Sequence, residues 1–195
     1  MKQLLIALML LAPLTACQKS STKHVKAYEG LAPGEVSFGF LAGKDEKQYL
    51  LEQNALFRSK LLYKDIEPIL KDGMLELNIP GNIAFSINSA KMTWNVHEVL
   101  DKITPILKEY QHTSILVLGH SDSRGNKDIN QLLSEQRARA IRDYFINSGL
   151  DVRRITSRGL GAEDLLIQND ITTLERSLNR RVTLEIRVKK FEEEE

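Results

Sequence analysis

The chain has 195 residues, of which 42% are hydrophobic and 27% charged. That composition excludes a wholly disordered chain, a collagen and a polytopic membrane protein, and it leaves room for one ordinary domain with some additional chain. The net charge is only +1, so no broad basic field points to nucleic acid. The single cysteine excludes an internal disulfide and a cysteine-based zinc site. The histidines His24, His97, His112 and His120 lie far apart and show no metal-ligand spacing. No metal and no cofactor are expected.

Residues 1–16 read as a signal peptide. Lys2 supplies a positive charge, a mostly apolar run extends from Leu4 to Leu14, and small residues follow. The run is too short to span a bilayer. Leu14-Thr15-Ala16-Cys17 resembles a bacterial lipobox, which implies that Cys17 is acylated and becomes the new N-terminus. A plain signal peptide with an incidental cysteine is the alternative. Several acyl chains, at roughly 0.8 kcal/mol per buried CH₂, make a durable anchor. Gln18 is not acidic, and by resemblance to enterobacterial lipoproteins this implies outer-membrane sorting.

Residues 17–45 are expected to form the lipidated N-terminus and a tether, broken by Gly30, Pro33 and Gly34. The apolar patch Val36-Ser37-Phe38-Gly39-Phe40-Leu41 does not suit a free linker. It packs either on the following domain or near the membrane. Tyr49, Leu50, Leu56, Phe57, Leu61 and Leu62 lie near helical spacing and predict a helix over 46–63. The segment 46–73 is taken as a helical N-terminal extension, which Pro68 and Asp72-Gly73 bring to an end.

From Met74 the pattern becomes regular. Leu75, Leu77 and Ile79 alternate with polar residues and predict a half-buried strand. Thr93 is placed to cap a helix carrying Val96, Val99, Leu100, Ile103, Leu107 and Tyr110, in which Pro105 predicts a kink or a split. Ile115 to Leu118 predicts a central strand. A second helix over about 128–148 is expected to turn Ile129, Leu132, Leu133, Ala140, Ile141, Tyr144 and Phe145 inward, with Gly149 as its C-terminal cap. Arg154 to Ser157 is a weaker strand candidate, and Val182, Leu184, Ile186 and Val188 give the clearest alternation of all. The order predicts an α/β (α+β) sandwich with helices on one small mixed sheet. Glu192–Glu195 is a short acidic run ending a solvated tail, 189–195.

The chemistry gathers after the strand at 115–118. It runs into Gly119-His120-Ser121-Asp122-Ser123-Arg124-Gly125, a loop at a strand's carboxyl end, where α/β folds commonly bind ligands. The next helix carries Asn130, Leu133 and Arg137 on one face. A carboxylate on the loop and a guanidinium on the helix can then converge on a zwitterion, with Asp122 for an ammonium and Arg137 for a carboxylate. A simple Asp122–Arg137 salt bridge with no ligand is the competing reading.

These residues carry a family resemblance. The 119–125 loop, Asn130 and Leu133-Ser134-Glu135-Gln136-Arg137-Ala138 resemble the GHTDxxG, N and LSxxRA signature of OmpA-like peptidoglycan-binding domains. Val152, Arg154, Gly159-Leu160-Gly161, Asn169, Arg176 and Asn179-Arg180-Arg181-Val182 follow in the family's order. Leu77–Phe85 resembles its first strand and the segment after it. The resemblance covers about 74–188, and the layout is that of the family's lipoprotein members, the peptidoglycan-associated lipoprotein, YiaD and YfiB types. It implies a βαβαβ-type domain that binds the diaminopimelate side chain of the peptidoglycan stem peptide non-covalently. Asp122 would meet the ligand's amine and Arg137 its carboxylate. Asn130 and Leu133 would line the pocket, and Arg180 would add a donor. Alternatively, one of Arg180 and Arg181 holds the loop network. His120 resembles a framework residue. The sequence departs from the family pattern at Ser121 (usually threonine), at Ser86-Ile87-Asn88 (often Asp-Ser-Gly), at Leu165 (usually proline) and at Glu175 (usually glycine). One extra residue lies between Asn169 and Arg176.

The expected function is that of a binding protein, not an enzyme: lipid at Cys17 holds the outer membrane and the pocket holds peptidoglycan. His120, Asp122 and Ser134 are the only nearby catalytic candidates, and no nucleophile elbow or metal motif supports them. The alternative is a periplasmic signalling lipoprotein whose segment 36–72 captures a regulator, a protein partner in addition to the wall.

Overall fold

The computed structural model describes residues 45–63 and 65–189. The signal peptide, Cys17, the tether, the 36–41 patch and the acidic run lie outside them. Helix α1, Glu46–Lys60, opens on Asp45, whose side chain accepts the Lys47 amide at 3.2 Å. Its buried side, Tyr49, Leu50, Gln53 and Phe57, keeps the 3.6-residue period. Leu62, counted with the helix in the sequence, lies beyond its end and is exposed.

Strands β1, Pro68–Lys71, and β2, Met74–Pro80, form an antiparallel hairpin. Asp72 and Gly73 both take positive φ, 50° and 72°, which is the type I′ turn that matches the twist of the paired strands. The sequence suggested only a break here. A four-residue strand beginning at a proline leaves too little alternation to read, and Pro68 is tolerated because β1 lies at the sheet edge. Leu50, Phe57, Leu61 and Ile66 enter the same hydrophobic core as Leu75, Leu77 and Ile79. Residues 46–71 are thus built into the domain that the alternation from Met74 announces.

A single turn, α2 (Gly81–Ala84), leads to α3, Trp94–Glu109. Thr93 caps α3 through the Val96 amide at 3.2 Å. Of the kink or split expected at Pro105, the split does not occur: α3 is continuous through it. Pro105 sits on the exposed side, where water serves the carbonyl that its missing N–H leaves unpaired. Strand β3, Thr113–His120, follows, and then α4, Lys127–Asn147. A single 3₁₀ turn, Val152–Arg154, precedes β4, Ile155–Gly161, and the chain closes with α5, Thr173–Asn179, and β5, Arg181–Val188.

The sheet order is β1-β2-β5-β3-β4, with only β3 and β4 parallel. Register aligns Leu77, Leu184, Val117 and Ser157 in one row, and Leu75, Ile186, Ile115 and Ile155 in the next. These rows face the helices. The residues between them, Glu76, Glu185, Leu116 and Thr156, share the other face. The result is the mixed α/β two-layer domain that the sequence predicts.

Helix α4 ends as expected. Gly149 has φ +89° and its N–H bonds Ile146 O, while the Leu150 N–H bonds Phe145 O, a Schellman motif. Its buried stripe differs from expectation: Ser134, Arg137, Ala138, Ile141 and Phe145. Ile129 and Leu132 are 65% and 57% exposed. At 100° per residue they stand about 140° and 160° around the helix from Ser134, so they cannot share its face.

Removing α1 and β1 takes Leu50, Phe57, Leu61 and Ile66 from the core, at about 2–5 kcal/mol per large side chain. A chain starting at Met74 is therefore expected to lose cooperative thermal unfolding by circular dichroism, whereas one starting at Asp45 keeps it. Equal melting of the two would show α1 and β1 to be dispensable.

Candidate functional site

Two glycines bring α4 onto the sheet. A Cβ on Gly119 would stand 2.0 Å from the Ser134 carbonyl oxygen, and one on Gly159 2.4 Å from the Glu135 nitrogen. Neither space admits a side chain, so the helix backbone rests directly on β3 and β4. The Ser134 hydroxyl accepts the Gly161 amide at 2.9 Å and donates to Gln131 O at 2.8 Å. The Gln131 side-chain amide donates to Gly159 O at 2.8 Å. Ser134 is thus a packing residue of the helix–sheet contact.

The loop between β3 and α4 is held from several sides. Asn126 caps α4 by accepting the Asp128 and Ile129 amides at 2.8 and 3.0 Å. The Asn130 side chain donates to Arg124 O at 2.7 Å, so this amide braces the loop backbone. Ser123 is clasped by Asp170: the Ser123 amide donates at 3.0 Å and its hydroxyl makes a second, short bond. The Asn179 amide donates to the same carboxylate at 2.8 Å. Burial pushes the Asp170 carboxyl up, but the bonds from Ser123 and Asn179 and the nearby Arg176 outweigh it and hold the group at about 2.

Asp122 sits in this frame. Its Oδ1 accepts the Arg124 amide at 3.1 Å, and its Oδ2 pairs with Arg180 Nη1 at 2.5 Å. The direct Asp122–Arg137 bridge of the competing reading does not form. Arg137 instead donates from Nε to Ser89 O at 3.0 Å, and its guanidinium lies 5.2 Å from the centre of the Phe85 ring. Arg137 is only 7% exposed. Burial first and the charge of Arg180 second lower its proton affinity, against the pull of Asp122. Its two terminal nitrogens have no hydrogen-bond partner among the described residues. Arg180 pairs with Asp122 and Arg137 feels the charge of both, so the excess charge here is positive, an arrangement suited to a carboxylate ligand. Leu133 is half-buried one turn before Arg137.

Arg180 and Arg181 divide their work. Arg180 is the C-cap of α5 and reaches Asp122, whereas Arg181 opens β5 and pairs with Asp164 at 2.9 Å. Beneath them lies His120, 1% exposed. The Thr183 hydroxyl donates to Asn78 at 2.6 Å and lies 3.2 Å from His120 Nε2, while Nδ1 lies 3.6 Å from the Asp164 carboxylate. Burial, then Arg181, pushes this imidazole down to about 4, against the pull of Asp164.

Several site residues were not singled out in the sequence. Asp170 and Ser89 give no local signal, because their partners lie 47 and 48 positions away. Helix α5 did leave one: Thr172 and Glu175 form a capping box, in which the Thr172 hydroxyl accepts the Glu175 amide at 3.2 Å and Glu175 accepts the Thr172 amide at 2.7 Å. Glu175, a departure from the family pattern, is the N3 residue that completes the cap of α5. Among the described residues no group of three His, Cys, Asp or Glu side chains is placed to hold a metal ion, and no helix is long and apolar enough to cross a membrane.

Residues 84–180 match the model of the OmpA family. The chain is 32% identical over 136 residues to the probable lipoprotein YiaD of Escherichia coli, covering 70% of this chain and 62% of that one. It is 29% identical to the peptidoglycan-associated lipoprotein of Brucella melitensis, over 55% of this chain and 64% of that one. The chain thus spans somewhat under two thirds of the length of these relatives. Among solved structures, a putative MotB-like protein from Desulfovibrio vulgaris superposes with a TM-score of 0.66 at 21% identity, over 74% of this chain and 94% of that one. This likeness shows the fold.

Because the imidazole of His120 has a proton affinity below its unfolded value, its contribution to stability is complete above about pH 6.5 and is lost as the pH falls toward 4. The loss is expected to reach about 3 kcal/mol at most. His112 shifts in the same direction, lowered by burial and Arg154. Urea unfolding from pH 7 to 4 should therefore show a falling midpoint, with a smaller fall in His120→Gln. An unchanged slope in that variant would assign the effect elsewhere.

Proposed function

Because the chain belongs to the OmpA family through residues 84–180, we propose that it binds peptidoglycan by the diaminopimelate side chain of the stem peptide and tethers the outer membrane to the wall. The observation that carries this reading is Arg137. A largely buried guanidinium, fixed by Ser89 O and the Phe85 ring while its terminal nitrogens keep no partner among the described residues, is a directed donor suited to an anion. Asp122 gives the same pocket an anionic side for the ligand's ammonium. Arg180, paired with Asp122, adds a second donor, and Leu133 and Asn130 stand between loop and helix. The name of the Brucella relative, a peptidoglycan-associated lipoprotein, agrees with this ligand.

The membrane side of the proposal rests on Cys17. Both lipoprotein relatives support the lipobox reading of Leu14–Cys17, and with it a chain anchored in the outer membrane and facing the periplasm. The signalling alternative keeps less of the chain. Residues 46–71 are committed to α1 and β1, with Tyr49 and Phe57 fully buried, which leaves 36–44 to meet a regulator.

The full-length chain is expected to co-sediment with purified diaminopimelate-type sacculi. Asp122→Ala and Arg137→Ala should each weaken this about tenfold or more, since a charge-assisted hydrogen bond is worth about 1.5–3 kcal/mol. A lysine-type wall, which lacks the side-chain carboxylate, should bind more weakly by the Arg137 share. Wild-type sedimentation by both variants would overturn the assignment. Separately, Cys17→Ala should move the chain from the membrane fraction to the soluble periplasmic fraction, and retention in the membrane would remove the lipid anchor from the proposal.

A further inference from the structure

Trp94 is the only tryptophan of the chain. It is the first residue of α3 and is 77% exposed. No hydrogen bond or ring contact engages it among the described residues. An indole left this open offers a ligand a large flat apolar face and an N–H donor.

Its position is fixed by its neighbours. Trp94, His97 and Asp101 fall on one stripe of α3. The His97 ring stands 5.3 Å from that of Tyr144, and the Tyr144 hydroxyl bonds Asp101. That stripe therefore faces α4. Both helices begin at the site end of the sheet: α3 after the Phe85–Met92 bridge, and α4 after the 121–126 loop. From Tyr144 back to Arg137 is seven residues, about 10 Å of helix axis; from His97 back to Trp94 is three, about 4.5 Å. Counted along the helices, Trp94 thus stands about 6 Å below Arg137. The 86–91 loop borders the same region. Its Ser89 carbonyl holds Arg137, and its Ile87 is 92% exposed.

The geometry points to a saccharide subsite: we infer that Trp94, with Ile87 on its rim, takes the amino-sugar ring from which the stem peptide hangs. The inference rests on the diaminopimelate reading of the Asp122–Arg137 pocket. Diaminopimelate is the third residue of such a stem, and three extended residues span roughly 10 Å. A ligand held at Arg137 is therefore bound to deliver its sugar within reach of Trp94. Pyranose rings carry one face of axial C–H bonds, apolar enough to lie on an indole, and their acetamido groups accept from its N–H.

The single indole is its own reporter. The full-length chain in detergent micelles would be titrated with a diaminopimelate muropeptide carrying its disaccharide, with the same stem peptide freed of sugar, and with peptide-free glycan strands. The muropeptide should bind about fivefold more tightly than the sugar-free peptide, the increment expected of one aromatic contact. It alone of the two should shift the Trp94 emission. Trp94→Ala should erase the difference while leaving the affinity for the sugar-free peptide unchanged, and Trp94→Phe should restore part of it. Equal affinities with a silent indole would overturn the subsite and leave the peptide pocket standing. Failure of both peptide ligands would overturn the pocket and the subsite together. A response to glycan strands alone, erased by Trp94→Ala, would place the saccharide at Trp94 independently of the peptide.

Discussion

The contact between α4 and the sheet is the constraint from which the rest follows. With hydrogen in place of a side chain at Gly119 and Gly159, the Ser134 carbonyl and Glu135 amide of α4 rest directly on β3 and β4. The helix axis is thereby drawn closer than a normal layer of side chains would allow. Ser134 then reaches the Gly161 amide, and Arg137, one turn further on, is carried down into the protein. An ordinary helix–sheet spacing would leave that guanidinium in solvent, where its charge would be screened and its geometry free. Depth at the helix is what turns a surface arginine into a directed group.

The loop side of the pocket is fixed by a different device. Asp170 clasps Ser123 and accepts from Asn179, and Arg176, on the helix that the Thr172–Glu175 box opens, donates to the Asp170 carbonyl. Each member is satisfied by another, the condition under which buried polar groups rigidify a structure. Asn130 draws the same loop from the other flank by bonding Arg124 O. The carboxylate of Asp122 is therefore positioned by neighbours on both sides of it in space, while its own side chain stays engaged with charge.

Much of this was legible along the chain. Leu75, Leu77 and Ile79, and Val182 to Val188, alternate because one face of their sheet is packed and the other is not. Thr93 and Gly149 announce the ends of α3 and α4 by local chemistry alone. The spacing of Asp122, Asn130, Leu133 and Arg137 follows from one loop and one helix. What escaped was of two kinds. β1 is four residues long and begins with proline, so its period had no room to appear, although Asp72-Gly73 is itself a hairpin signal. The partners of Arg137 and Arg180 lie 48 and 58 positions away, and spacing carries no information at that range. Ile129 and Leu132 misled for a third reason. The buried stripe of α4 contains a serine and an arginine, so apolar character alone points to the wrong face.

The Asp122–Arg180 pair has a consequence for how any ligand is held. Asp122 already carries a guanidinium at 2.5 Å, so an ammonium that reaches this carboxylate exchanges one cation for another. The free energy gained there is that of the ligand's ion pair less that of the pair it displaces, and the released Arg180 side chain, 35% exposed, regains its freedom of motion. Binding of this kind is shallow and quick to reverse at each molecule. Under the proposed tethering, a population of such molecules on a membrane facing a polymer would act like a fabric fastener: each hook yields, the sheet of hooks does not, and any hook that is cut loose can close again on the next strand.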